Sequence, residues 1–300
     1  MTATLTLIAG AGYTGRRVAR RLAAQGAVVH CLTGSAASAA ALSEAGIAAT
    51  AVDLDQTGAL PRLPHGPLRV LYLVPPAEAE GGGDDDPRLS RFLSALPRQP
   101  QRFVLASTSG VYGDCGGELV DEERPPAPST ERALRRVAAE TALRHWADEQ
   151  GVSWAVLRIA GIYGPGRLPL EAIRSGQPVI REEDASPGNR IHVEDLTRVC
   201  IAALAPSAPG GIYNVADGSG ESSGAFFRRV AEAAGLPAPP AISREEARRQ
   251  MSPMRYSFLA ESRRLDTRRL REALGVELAY DDPAAGIRAS LEESGALPDG

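Results

Sequence analysis

Three glycines carry the first recognisable chemistry of this chain. Gly10, Gly12 and Gly15 lie between an apolar run, Leu5 to Ala9, and a segment with helical spacing that begins at Arg16. Strand, glycine turn and helix in that order make a dinucleotide-binding βαβ unit. Gly10 allows the tight turn. Gly12 lets backbone approach a pyrophosphate where a Cβ would collide, and Gly15 lets the helix lie close to the strand. The helix start, with Tyr13, Thr14 and Arg16, offers unpaired N–H groups and a positive dipole end to phosphates. The same glycines would otherwise make a plain structural turn in another α/β protein. A second set of reactive groups, Ser107, Thr108 and Ser109, follows the apolar run from Arg102 to Ala106. Hydroxyls at such a strand end, beside a nicotinamide, can hydrogen-bond a substrate carbonyl or alcohol.

The elements that must position these groups are legible as apolar runs. Residues 27–32, 47–52, 68–74, 102–106 and 152–159 read as strands, and the segments 38–45 and 87–96 read as helices. Their alternation predicts an α/β fold, a Rossmann-type doubly wound parallel sheet with helices on both faces. In such sheets the ligand lies over the carboxyl ends of the strands. Thr33, Asp53, Leu54, Val74, Pro75 and Ser107 stand at those ends and are expected around the cofactor. Asp53 would bond an adenine amino group, or simply form a turn. No acid closes the second strand, where Thr33, Gly34 and Ser35 stand, and no arginine follows directly. Arg16 and Arg17 would reach a 2′-phosphate or else stand as solvated helix arginines. The missing acid leans the expectation from NAD toward NADP. The run GGGDDD, from Gly81 to Asp86, is expected as a solvated acidic loop rather than a metal site. Beyond residue 160 the pattern loosens into short helical pieces. The expected division is a dinucleotide-binding domain over 1–160 and a smaller substrate-binding lobe over 161–300.

Composition bounds the functional classes. The 300 residues are 43% hydrophobic and 23% charged, which suits a soluble globular protein. A net charge of −4 and a pI near 5.7 argue against nucleic acid or an anionic membrane as partner. All 33 basic residues are arginine, so no step that needs an amine side chain can come from this chain. Cys31, Cys115 and Cys200 have neither metal-ligand nor disulfide spacing and are expected as free thiols in a reducing cytoplasm. No metal site is expected.

Several segments resemble one family. STSGVYGD at 107–114 with the acidic pair Asp121–Glu122, LRIAGIYGPGR at 157–167, NRIHVEDL at 189–196 and IYNVADG at 212–218 are similar to the extended and atypical short-chain dehydrogenase/reductases of the NAD-dependent epimerase/dehydratase group. The resemblance spans nearly the whole chain in the expected order. It implies that Thr108 stands at the family's catalytic Ser/Thr position, four residues before Tyr112. It also implies a Tyr-x-x-x-Lys pair on the next long helix, with a glutamate four residues after the lysine. Anchoring on Glu140 puts Arg136 at the lysine position and Arg132 at the tyrosine position. No tyrosine occurs between Tyr112 and Tyr163. An arginine cannot do the general acid–base work of a phenol, because its pKa stays above about 12. Arg132 and Arg136, one helical turn apart, can instead bind a carboxylate or phosphate, or be solvated.

The expected catalytic set is therefore Thr108, Ser109 and Tyr163. Tyr112, Arg132, Arg136 and Arg190 are expected toward the substrate, although Tyr112 fits packing at least as well. His192 and Asp195 read as architectural. Arg255 and either Arg263 or Arg264 are further candidate anion contacts, or plain surface arginines. The expected function is an NAD(P)-binding oxidoreductase or epimerase-like enzyme on a small or nucleotide-linked substrate, with non-standard proton donors. The alternative is a non-catalytic dinucleotide-binding redox sensor or regulator. Relatives of this group often form homodimers, but the sequence carries no interface signal.

Overall fold

A computed structural model describes residues 3–56, 60–77 and 85–296. The first half of the chain alternates as expected: β1 (Leu5–Ala9), α1 (Tyr13–Ala24), β2 (Val28–Thr33), α2 (Ala36–Glu44), β3 (Ala48–Ala51), β4 (Leu68–Tyr72), α3 (Pro87–Ala95) and β5 (Arg102–Thr108). A short 3-10 turn, Ser109–Tyr112, leads to β6 (Leu119–Val120), α4 (Glu131–Gln150), β7 (Ser153–Ile159) and β8 (Gly161–Tyr163). Then come α5 (Leu170–Arg174), β9 (Val179–Ile180), β10 (Arg190–His192), α6 (Val193–Ala203), β11 (Gly211–Val215) and α7 (Ser223–Ala233). The tail holds β12 (Ala241–Ile242), α8 (Arg244–Gln250), α9 (Pro253–Ala260), β13 (Arg264–Leu265), α10 (Arg268–Leu274) and α11 (Pro283–Glu293).

Seven strands form one parallel sheet in the order β3-β2-β1-β4-β5-β7-β11. The order reverses between β1 and β4, which makes that crevice the switch point of a Rossmann-type sheet. Alternate residues of each strand feed two apolar layers. Ile8, Leu71, Val104 and Leu157 meet Val18 and Leu22 of α1 and Leu196 and Val199 of α6 on one face. Leu7, Val70, Tyr72 and Phe103 meet Phe92 of α3 and Leu143 of α4 on the other. Three two-stranded parallel pairs lie outside the sheet: β8 with β10, β9 with β12, and β6 with β13. Of these, only β6 with β13 joins the first 160 residues to the rest; the other two pairs join segments beyond residue 160.

The division at residue 160 is not a clean cut. β11 returns at residues 211–215 to pair with β7, and α6 packs on the sheet beside α1. The acidic run also departs from its reading as a solvated loop. Residues 81–84 lie outside the described residues, but Asp86 is buried and caps α3, accepting from the Leu89 N–H at 3.1 Å. Its carboxyl is raised above the usual range, chiefly by burial.

One ion pair sits in the core. Arg158 on β7 donates from Nη2 to Glu140 Oε2 of α4 at 2.8 Å, with both side chains only 2% exposed. Ser107 on β5 donates to Glu140 Oε1 at 2.5 Å. The Arg158 guanidinium also lies 4.7 Å over the ring of Tyr112, whose hydroxyl donates to Asn214 Oδ1 at 2.8 Å. Asn214 in turn donates to the carbonyls of Val120 and Asp266, so the network runs from α4 through the sheet to β6 and the end of β13. Removing one member of such a pair strands a buried charge, which costs about 3–5 kcal/mol. Arg158→Met is expected to lose that much stability in urea unfolding, and Arg158→Met with Glu140→Leu to recover most of it.

Candidate functional site

The glycine turn is built as its residue types require. Gly10 has φ +88, a conformation that L side chains rarely adopt, and a Cβ there would lie 3.0 Å from the backbone of Leu73 and Val74. A Cβ on Gly15 would come 2.6 Å from the Gly10 carbonyl oxygen. Gly12 differs: nothing lies within 4 Å of the place its Cβ would take. That bare patch at the start of α1 opens into a cavity of about 850 Å³ over the strand ends. Gly10, Gly12, Tyr13, Thr14, Gly15, Thr33, Asp53, Leu54, Val74, Pro75 and Ser107 line it. The space that a pyrophosphate needs beside Gly12 is therefore present, and the glycine turn fits a dinucleotide.

Tyr13 has a second job. Its ring is held between Arg17 at 4.4 Å and Arg167 at 4.1 Å, and its hydroxyl donates to the Pro165 carbonyl at 2.9 Å. A Cβ on Gly164 would sit 2.6 Å from that hydroxyl, so the YGPG loop is packed onto the first turn of α1. Arg88 and Asp55, which sequence reasoning passed over, line the cavity beside Asp53 and are paired with each other. Their signal was faint: an acid just past β3 and an arginine in the first turn of a Pro-started helix.

A second cavity, of about 700 Å³, opens beside the first. Thr108, Ser109, Arg132, Arg136 and Arg190 line it, with Arg255 and Arg263 from the C-terminal lobe. Thr108 and Arg136 line both cavities. Thr108 ends β5 and caps the following turn, its Oγ1 accepting from the Gly110 N–H at 3.2 Å. Arg136 donates from Nη1 to the carbonyls of Ala106 at 2.9 Å and Val74 at 3.3 Å.

Residues 6–216 match the model of the NAD dependent epimerase/dehydratase family. The chain belongs to that family. Protein YeeZ of Escherichia coli is 28% identical over 217 residues, covering 71% of this chain and 72% of its own. The structure of a functionally unknown conserved protein from Silicibacter pomeroyi matches with a TM-score of 0.82 and 33% identity, over 98% of this chain and 99% of that one. A Thermus thermophilus UDP-glucose 4-epimerase, solved with NAD, has the same fold, with a TM-score of 0.73 and 24% identity over 97% of this chain and 98% of that one.

Within this epimerase/dehydratase fold, several expected site residues lie elsewhere. Arg16 lines neither cavity; its Nε donates to the Gly12 carbonyl at 3.3 Å. Arg17 donates to Glu194 of α6 and Glu293 of α11, each at 3.2 Å. Neither of the two arginines considered for a 2′-phosphate lines a cavity, and the family is NAD-dependent, so the lean toward NADP drawn from the missing acid is not supported. Tyr112 lines neither cavity, because its hydroxyl is taken by Asn214 and its ring by Arg158. Tyr163 is also absent from both linings. It is 3% exposed, packed between Phe226 and His192, with its hydroxyl where a Cβ on Gly286 would fall. Burial pushes its phenol pKa up, so it is poorly suited to give or take a proton near neutrality.

His192 and Asp195 tie the start of α6 to α11 and the segment before it. His192 Nδ1 accepts from the Glu194 N–H, and its Nε2 lies 3.2 Å from Ser290 Oγ. The Asp195 carboxylate accepts the N–H groups of Ala279 and Tyr280 at 2.8 and 2.9 Å.

Substitutions at the glycines separate cofactor contact from folding. Gly12→Ala is expected to leave the melting temperature of the free protein unchanged and to abolish its rise with NAD. Gly15→Ala is expected to lower the melting temperature of the free protein itself, because the Gly10 carbonyl must move. Burial lowers the His192 pKa from 6.5 to about 4. Between those values the unfolded chain binds the proton and the folded chain does not, so stability falls as pH falls. The loss approaches about 3 kcal/mol by pH 4. Urea unfolding at stepped pH should show this slope, and His192→Gln should remove it.

Proposed function

We propose that this chain is an NAD-dependent oxidoreductase or epimerase-like enzyme. Its substrate, small or nucleotide-linked, lies in the arginine-lined cavity. The observation that carries this reading is the junction at Thr108, where the dinucleotide cavity opens onto a second cavity of substrate size. Gly10, Gly12 and Gly15, with the start of α1, would hold the pyrophosphate. Asp53 and Leu54 would face the adenine, and Val74, Pro75 and Ser107 the strand ends beneath the nicotinamide. NAD, when bound, supplies the carbon that exchanges hydride.

Thr108 would hydrogen-bond the substrate oxygen at that junction, with Ser109 beside it. The positions that the family resemblance assigns to a tyrosine and a lysine hold Arg132 and Arg136, so a phenol would not move the proton here. Arginines in the second cavity favour a substrate with negative charge. The three buried free cysteines accord with a cytoplasmic setting. A second reading, a dinucleotide-binding sensor without turnover, is favoured by the same pair of arginines.

Cofactor binding and turnover separate the two readings. NAD is expected to raise the melting temperature, and a panel of anionic alcohols and carbonyls should include one that changes absorbance at the reduced-cofactor band. Thr108→Val should then lower kcat at least tenfold while the NAD dissociation constant stays put. Tight NAD binding without turnover across the panel would leave the sensor; an active Thr108→Val enzyme would remove the hydroxyl from the mechanism.

A further inference from the structure

The second cavity holds more positive charge than its walls balance. Arg135 has Glu131 at 3.7 Å, and Arg263 has Glu261 at 2.8 Å. Glu261 is the single acidic residue among the described residues of the lining. Arg136, Arg190 and Arg255 make no ion pair among the described residues. Their hydrogen bonds go to main-chain carbonyls: Ala106 and Val74 for Arg136, Glu221 for Arg190 at 2.7 Å, and Pro178 for Arg255 at 2.8 Å. Burial lowers the pKa of all three guanidinium groups. A carbonyl satisfies an N–H but does not cancel a charge, and an unbalanced cation taken out of water is costly.

Arg136 is the telling case, because it lines both cavities. Only its Nη1 has acceptors among the described residues, so the rest of the fork is left for a ligand. Asp86 and Glu140 act on its charge without pairing with it, and the cofactor does not balance it either. Its negative charge belongs at the glycine turn, and an oxidised nicotinamide ring is itself a cation. Two cations brought together at the junction repel unless an anion lies with them. Arg132, one turn earlier on α4, lines the second cavity only.

We propose that the substrate carries an acidic group, a carboxylate or a phosphate, close to the carbon that exchanges hydride. Arg136 with Arg132 holds that group where the two cavities meet. This rests on the reading that hydride exchange takes place at the junction. The pair thereby selects acids as substrates and couples anion binding to the oxidised cofactor. An anion there offsets the repulsion between Arg136 and the oxidised ring.

The test uses the full chain and two probe anions, oxalate and inorganic phosphate, at constant ionic strength. The dissociation constant of NAD is measured by calorimetry with and without each probe. At least one probe is expected to tighten NAD binding, and the one that does so names the acidic group. Arg132→Gln is expected to weaken that probe's binding about tenfold while leaving NAD affinity without probe unchanged. Arg136→Gln should remove the coupling. If neither probe binds in the presence of NAD, or both variants bind the probe as the parent does, the inference is overturned. If NAD itself does not bind, the functional reading fails instead. Thermal shifts of the free protein and its two variants with the probes alone then decide whether the arginines hold an anion.

Discussion

The Arg158 guanidinium can stay in the middle of this protein because Glu140 meets it there. The Arg158–Glu140 pair joins α4 to β7, and Ser107 joins the same carboxylate to β5. These are the elements whose ends carry Thr108, Arg136 and the junction of the two cavities. Tyr112 and Asn214 extend the same network to the C-terminal lobe. A buried network of this kind favours one arrangement, because breaking it strands charged and polar groups in the core. Apart from Ser107, these groups line neither cavity, so the reactive surface is set from behind it.

The parallel sheet, its order of elements and the glycine turn were legible in the sequence. Apolar runs of strand length and glycines at fixed spacing are local signals, and the sheet buries both faces of those runs. The dinucleotide cavity was legible for the same reason: the residues at strand ends in a parallel sheet all face one crevice. What failed to be legible depended on contacts distant in the chain. Tyr163 follows a strand and ends in a family motif, but a glycine on α11 over a hundred residues later receives its hydroxyl end. Arg17 looked like a phosphate ligand until α6 and α11 supplied its carboxylates. The interior role of Arg158 had one sequence signal, a charge inside the apolar run SWAVLRI.

The absence of lysine shapes the electrostatics of the whole site. Every cation here is a planar fork with a fixed charge, suited to paired hydrogen bonds and unsuited to proton transfer. Beyond its ion pairs, the chain uses such forks in two ways. Some, like Arg102, are spent on carbonyls that tie strand starts to neighbouring loops. Others line the cavity beside Thr108, where their charge is available to whatever enters.

β11 lies at the edge of the sheet beside β7, yet it is made only after β8, β10 and α6. Until residue 215 has been synthesised, β7 would present its outer edge unpaired, and Tyr112 would lack the amide of Asn214. An exposed strand edge is a template for joining the wrong chain. The order of synthesis therefore leaves a vulnerable interval between the sixth strand of the sheet and the seventh. The nascent chain must cross that interval before its core can close.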